Sequence, residues 1–524
     1  MFSVARDTNE SLKGDVVRIL VGDVTAPSDL PEETPIIEGV ATVSSYNWLA
    51  EHEVDSVIPT IQVPGAPPIL AFPETSATMK LQPDVGHHYV DQNAARMKGK
   101  SGMIPGLAAC HAYKRDFKVT DYDVITDRNN LIKLYELIEL AGERVKDEPP
   151  ISTPWRAPSI QAAAARRGRG NYRPVHPFFQ QLGPGHGRGI ESMDRRAEAT
   201  RIDVDVVSGY DNDTGKYIYD ENAASTTLML TRWEPHNEEI VISSMDFRGF
   251  GHSFLTKTRL FLSLEDGRMK ERGPKDVTGF HCLVEYKLFG MKFLVRYHAD
   301  ACDMTRAEFV QWISKDGLRD LAELDTESNN DSDDGSEDRT LCESPDTDTF
   351  ELLDAFKTLT VKTDEVERID QKIHLSPKNK TKDASESFRL PNIPLEIINT
   401  PNTIFPGNKI IQVKTRGRRT GLNVEKLYVQ LFFSQTENFM VAYHTRGIFS
   451  AAETLKEEIS PELEKWGSDN KERLKRLVSI MREIKAKVVG LGQKGALEFR
   501  LKKKASDDPV IIDIRAREDK VDAK

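Results

Sequence analysis

The sequence predicts an α/β (α+β) fold in which a mixed central sheet is flanked by helices and interrupted by long disordered insertions. Three observations carry this. Runs such as RIDVDVV (201–207) and TTLMLTR (226–232) alternate in the manner of strands. Leu474, Leu477, Met481, Ile484 and Val488 recur at helical spacing over about 469–489. Hydrophobic residues make up 38% and charged residues 30%, below the apolar content of a compact chain. The 524 residues are therefore read as one ordered unit with large insertions rather than as two or three separate domains.

In chain order, 1–43 is polar and expected to be disordered. Residues 44–145 form an N-terminal arm and the first part of the core. Within them, 44–73 mixes aromatics with five prolines, which suits an extended segment draped over a core. DYDVITDRNNLIKLYELIEL, from Asp121, reads as a short strand, a turn at Asp127-Arg128-Asn129 and a helix, with Asp127 or Asn129 able to cap it. Residues 146–199, rich in Arg, Gly and Pro, form an inserted loop without periodicity. Residues 200–320 carry the antiparallel strands 201–207, 226–232, 281–288 and 292–297, then a helix near 305–313. Acidic residues crowd 321–404, which is read as a disordered linker because so little apolar surface cannot offset backbone entropy. Order returns in 405–516 with a strand at 409–415, a helix from Asn423, the long helix and two closing strands; 517–524 is a tail.

The net charge of −11 is unevenly spread, with acids in 322–349 and bases at 166–173, 195–201 and 414–419, so local patches govern attraction to nucleic acid. The acidic tract 322–349 is expected to compete for the basic surface at 414–419. Cys110, Cys282, Cys302 and Cys342 form no C-x-x-C pair, which supports neither a disulfide framework nor a cysteine zinc site. No apolar run reaches the length of a membrane span, and the N-terminus lacks a signal-peptide core. The expected setting is intracellular, nucleus or cytoplasm, with no membrane partner. Sequons at Asn9, Asn212 and Asn379 are then chance matches. Nothing in the chain indicates an oligomeric state.

Several motifs mislead. Gly490-Leu491-Gly492-Gln493-Lys494-Gly495 matches a dinucleotide fingerprint, but that chemistry needs a strand before the glycines and a helix after them, and here the order is reversed. It reads as a helix end and a turn. Asp333-Asp334-Gly335-Ser336-Glu337-Asp338 resembles the diphosphate-binding motif of prenyl synthases, yet it lies in a helix-poor acidic tract without a second copy. Glu285-Tyr286-Lys287 is read as a surface charge pair across strands.

Chemistry concentrates in Ile411-Gln412-Val413-Lys414. Alternation places Gln412 and Lys414 on one face of a strand while Ile411 and Val413 enter the core. Asp300 ends an earlier strand, and Gln430 sits on the helix that follows. This order of acid, x-Lys strand and Gln helix resembles that of a PD-(D/E)xK nuclease-like core with one acid replaced by Gln412; in such cores acids gather Mg²⁺ or Mn²⁺ and the lysine orients the nucleophile. Asp300 and Gln412 are the candidate metal ligands, and Asp300, Gln412, Lys414 and Gln430 the candidate catalytic set. Arg416, Arg418 and Arg419 in the adjoining turn, and Arg167, Arg169 and Arg173 in the inserted loop, are candidate contacts to RNA or DNA.

The blocks Ser45-Tyr46-Asn47-Trp48, Pro59 to Gly65, Asp123 to Asn130, Phe247 to His252 and Ser434-Gln435-Thr436 resemble those of an uncharacterised filamentous-fungal protein family. The resemblance covers about 44–135, 200–315 and 405–490. The label geranylgeranyl diphosphate synthase that sometimes accompanies the family is not supported by this sequence. The resemblance implies Glu-Thr-Asp at the first strand end and Glu-Ile-Lys at the second, a pattern similar to that of RNA-decapping exonucleases. Here the two read His298-Ala299-Asp300 and Gln412-Val413-Lys414, so two carboxylates are absent. Glutamine can coordinate a hard metal but brings no charge. Two functions follow as expectations: a partly degenerate metal-dependent nuclease, or a non-catalytic nucleic-acid- or protein-binding scaffold with a nuclease-like fold.

Overall fold

A computed structural model of the chain describes residues 12–31, 33–49, 58–71, 78–89, 91–97, 100–142, 200–212, 214–220, 222–233, 239–242, 249–265, 268–272, 277–314, 387–389, 393–400, 403–418, 420, 422–501 and 508–518. Among these, the largest element is a 12-stranded mixed sheet. Edge to edge it runs Leu12–Leu20, Ile511–Arg517, Lys494–Phe499, Thr200–Val207, Thr227–Arg232 and Val124–Asp127, then Met291–Ala299, Val277–Leu288, Ile37–Leu49, Thr60–Val63, Glu396–Asn399 and Ser387–Arg389. Val124–Asp127 lies parallel to both of its neighbours. All four of its residues are buried, as expected of a parallel strand covered on both faces.

A second sheet of eight strands runs Arg268–Arg272, Arg259–Glu265, Ile69–Leu70, Ala301–Cys302, Ile410–Gly417, Asn438–Thr445, Ile448–Glu458 and Thr78–Lys80. Met291–Ala299 of the first sheet passes through Asp300 directly into Ala301–Cys302 of the second. Asp300 therefore stands where the sheets meet.

One face of the large sheet carries the helices Arg128–Gly142, Val424–Ser434, Ser460–Asp469 and Lys471–Gly490, whose contact centres on Tyr135, Phe433 and Trp466. Asn470 joins the last two helices and accepts a hydrogen bond from the Tyr135 hydroxyl at 2.8 Å. The other face is covered by Ile104–Tyr113, whose Leu107 is buried in one cluster with Tyr46 and Trp48. Asn423 caps its helix by accepting from the Lys426 amide at 3.0 Å. Leu491, Gly492 and Gln493 close the long helix before the strand Lys494–Phe499, so the Gly-x-Gly motif is the helix end and turn that its order implies.

Several expectations are corrected. Leu12–Leu20 is an edge strand, and Ile37–Leu49 lies inside the large sheet rather than over it as an arm. Alternation is hidden there because Ser44 to Leu49 are all buried. Their polar groups are satisfied within the fold: the Ser44 hydroxyl donates to the Ala109 carbonyl and the Ser45 hydroxyl to the Gly65 carbonyl. Gly65 is required there, because a Cβ would lie 2.5 Å from the Tyr46 backbone. In the region read as acidic linker, Ser387–Arg389 and Glu396–Asn399 are strands, the latter recruited by Thr60–Val63. The strands of 200–320 are not one antiparallel block, because Val124–Asp127 intervenes. That strand enters its helix at Arg128 without a separate turn, and Asp127 binds Arg296 instead of capping the helix. The Arg-Gly tract, 322–349 and Cys342 lie outside the described residues.

Candidate functional site

Ile410–Gly417 forms a strand because its Ile and Val residues suit a pleated, buried surface. It pairs antiparallel with Ala301–Cys302 and parallel with Asn438–Thr445. Ile411 and Val413 pack among Phe254, Met440 and Phe449. Alternation then turns Gln412, Lys414 and Arg416 to the opposite face, the same face predicted for Gln412 and Lys414. Burial falls along it: Gln412 is buried, Lys414 and Arg416 are half-buried, and Arg418 is exposed.

At the buried end, Asp300 Oδ2 accepts hydrogen bonds from the Val413 amide at 2.9 Å and from the Gln412 side-chain amide. Gln412 Oε1 in turn accepts from Arg128 Nη1 at 3.1 Å. The structure thus joins Asp300 and Gln412 directly and adds Arg128, from the first turn of its helix. The Arg128 guanidinium also lies over the Tyr297 ring, 5.7 Å from its centroid. Arg259 reaches the Asp300 backbone carbonyl at 3.5 Å, and His298 Nδ1 stands 3.7 Å from Asp300 Oδ1.

Cations dominate this cluster. Burial lowers the pKa of Lys414; Asp300 opposes that shift, while Arg128 and Arg416 reinforce it. Burial likewise lowers Arg128 and Arg259, with Asp300 acting against it in both. The guanidinium groups stay charged at neutral pH. Packing pushes His298 down to about 4, opposed by Asp300 and assisted by Arg259, Arg128 and His252, so this imidazole is neutral at pH 7. One carboxylate therefore faces the positive charge of Arg128, Arg259 and Lys414.

The donor set does not fit the expected Mg²⁺ or Mn²⁺. Asp300 Oδ2 is already held by two N–H donors, and the Gln412 carbonyl is held by a guanidinium. Turning the amide over to free its oxygen would set its NH₂ against Arg128, donor against donor. The neighbouring carboxylate Asp127 is bound by Arg296 through both oxygens, at 2.7 and 3.1 Å. Among the described residues, no three His, Cys, Asp or Glu side chains converge as a metal site would need. In this arrangement the two expected metal ligands, Asp300 and Gln412, are engaged with protein donors and with each other. A charged guanidinium occupies the Gln412 carbonyl that a cation would use.

The remaining predicted residues are placed as follows. Lys414 and Arg416 share the face of Gln412. Gln430 lies on the helix Val424–Ser434, with its Oε1 buried and without a hydrogen-bond partner among the described residues; it makes no hydrogen bond to Asp300, Gln412 or Lys414. Arg418 is paired with Glu453 at 3.1 Å, an exposed ion pair. Arg419, Arg167, Arg169 and Arg173 lie outside the described residues. Glu285 pairs with Lys292 and Lys287 with Glu38, as the surface-pair reading of that motif holds. Arg128 and Arg259 were not identified from the sequence. The only local sign of Arg128 is its place directly after a fully buried strand, where a charged side chain begins a helix at the strand's C-terminal end.

A family model described as a domain of unknown function (DUF8563) matches residues 21–148. No curated protein matches the sequence. Among solved structures, the chain is similar to S. pombe Rai1, at 10% identity and a TM-score of 0.39 over 96% of this chain and 99% of that one. It is similar to Candida albicans Rai1 in complex with pU5 and Mn²⁺, at 8% identity and a TM-score of 0.42 over 97% and 94%. It is also similar to K. lactis Dxo1 in complex with manganese, at 6% identity and a TM-score of 0.39 over 97% and 100%.

Proposed function

We propose that this chain binds RNA or DNA through the basic face beside Asp300 and does not cleave it. The carrying observation is the chain of contacts Asp300–Gln412–Arg128, which holds the carboxylate with protein donors. Metal-assisted hydrolysis needs an acidic set free to gather cations, and this arrangement supplies the reverse. Lys414, Arg416, Arg128 and Arg259 instead present the positive surface that phosphate groups require. In this reading Asp300 positions its own cations. It keeps the Gln412 side chain fixed, and through it Arg128, so the basic face is organised before an anion arrives.

The test incubates full-length protein with end-labelled RNA and DNA in EDTA, Mg²⁺ or Mn²⁺ and resolves bound and cut species from the same reaction. Binding in EDTA without cleavage in any metal is expected. Lys414→Gln should weaken binding and reduce the salt slope by about one unit, as for loss of one phosphate contact. Metal-dependent cleavage abolished by Lys414→Ala would establish the nuclease reading instead. Absence of binding at low salt by correctly folded protein would remove nucleic acid as the ligand.

A further inference from the structure

Beyond Lys414 and Arg416, the same face of the small sheet continues onto its parallel neighbour. The register places Gln412 beside Phe439, Lys414 beside Val441 and Arg416 beside Tyr443. Paired residues of a parallel ladder share a face, so Phe439, Val441 and Tyr443 line up beside the basic row. Phe439 and Val441 are buried, Tyr443 is half-buried and Thr445 is exposed. Tyr443 is thus the aromatic ring at the rim, beside the half-buried Arg416.

Two further observations single out Tyr443. Its pairing with the next strand is broken: Ala442 pairs with Thr454 and His444 with Phe449, so the ladder shifts register at Tyr443. The extra residues, Ser450 to Glu453, lie on the facing strand, so Tyr443 keeps its alternation beside Arg416 and has no cross-strand partner on that side. Among the described residues no hydrogen bond anchors the Tyr443 hydroxyl. Tyr443 packs in part against the main hydrophobic core, while His444 on the opposite face has its ring against Phe250 and Phe449 and its Nδ1 accepting from the Gly447 amide.

We infer that Tyr443, flanked by Arg416, is a base-stacking platform that makes this face select single-stranded over double-stranded nucleic acid. The inference rests on the nucleic-acid reading of the basic face beside Asp300 and adds the substrate class. Lys414 and Arg416 are alternate residues of one strand, about 6.6 Å apart, and so can follow a backbone rather than grip one isolated anion. An aromatic ring beside such a track takes the face of an unpaired base, which a duplex keeps inside its stack.

Fluorescence anisotropy of the full chain tests this with a labelled single-stranded oligonucleotide, the matching duplex and an abasic strand of equal length. The unmodified protein should prefer the single strand to the duplex about tenfold, and Tyr443→Leu should lose about tenfold on the base-containing strand, the order expected for one stacked base. The same variant should bind the abasic strand as the unmodified protein does, with an unchanged salt slope, and Tyr443→Phe should retain the preference. Equal binding of duplex and single strand overturns the inference. So does a Tyr443→Leu loss that is equal on abasic and base-containing strands, or absent on both. Binding of the abasic strand alongside any of these results leaves the phosphate-binding reading standing, whereas failure to bind any of the three probes sinks both.

Discussion

Gln412 stands between a carboxylate and a guanidinium, giving its amide N–H to Asp300 and its carbonyl to Arg128 at 3.1 Å. Only a side chain with a donor at one end and an acceptor at the other can make both contacts. A glutamate here would satisfy Arg128 but would offer Asp300 a second negative charge. The residue that departs from a metal-binding pattern is therefore the one that this arrangement of charges requires.

Gln412→Glu should accordingly destabilise the protein by about 1–3 kcal/mol at pH 7, the range for a buried group that loses its partner. Mn²⁺ should raise the melting temperature of the variant, because two adjacent carboxylates offer a divalent ion what one cannot. The unmodified chain should melt at the same temperature with and without Mn²⁺. Thermal denaturation of both proteins in EDTA and in Mn²⁺ decides the matter, and a Mn²⁺-dependent rise in the unmodified chain would contradict the assignment of Gln412.

Arg296 and Asp127 form a second buried pair, bridged at 2.7 and 3.1 Å, and Arg296 also reaches the Gly102 carbonyl. Burial raises the pKa of the Asp127 carboxyl and Arg296 opposes the shift, so the negative charge depends on its partner. Arg296→Met should cost about 3–5 kcal/mol by stranding that charge. Arg296→Met combined with Asp127→Leu should recover much of the loss. Urea unfolding of the two single variants and the double variant measures the coupling, and simple additivity would show that the pair does not act as a unit.

What could be read from the sequence follows the range over which each signal acts. Alternation of Ile411 and Val413 with Gln412 and Lys414 is local, and the face it implies is the one found. The long helix Lys471–Gly490 and the Asn423 cap are local for the same reason. Arg128 contacts Gln412 across 284 positions, and nothing near either residue encodes that meeting. Ile37–Leu49 escaped because its second half, Ser44 to Leu49, is covered on both faces, which replaces alternation with a run of buried small polar and aromatic residues. Leu12–Leu20 and Glu396–Asn399 became strands through partners distant in sequence, Ile511–Arg517 and Thr60–Val63.

Asn93 shows what the Ser45-Tyr46-Asn47-Trp48 block does. Its side-chain oxygen accepts from the Tyr46 hydroxyl at 2.7 Å and from the Trp48 indole at 3.0 Å, in a site closed to solvent. Asn93→Ala leaves two buried donors unpaired and should cost about 2–4 kcal/mol. Because these groups lie in the core under Ile104–Tyr113, nucleic-acid affinity of the folded variant should be unchanged. Chemical denaturation and a binding titration on the same preparation test both halves. A variant that is fully stable yet loses affinity would move this block from structure to recognition.

His298 gives the site a pH signature. Its folded pKa is lowered to about 4, whereas an unfolded histidine titrates near 6.5. Above about 6.5 the ring is neutral in both states and imposes no penalty. Between about 6.5 and 4 the unfolded chain takes up the proton that the folded chain refuses, so stability falls as pH falls. His281, stacked on Tyr46 and opposite His298 in the ladder, is lowered well below its ordinary value by burial, with His298 and Arg296 adding to the effect, and contributes with the same sign. Because 41% of the His298 side chain is exposed, solvent screening reduces its share. His298→Gln should therefore flatten the decline in stability between about pH 6.5 and 4 without removing it. Urea denaturation of both proteins across that window provides the measurement. Parallel curves for the two would show that the folded chain accepts the proton as readily as the unfolded one, and that burial, with the cations beside it, does not hold His298 neutral.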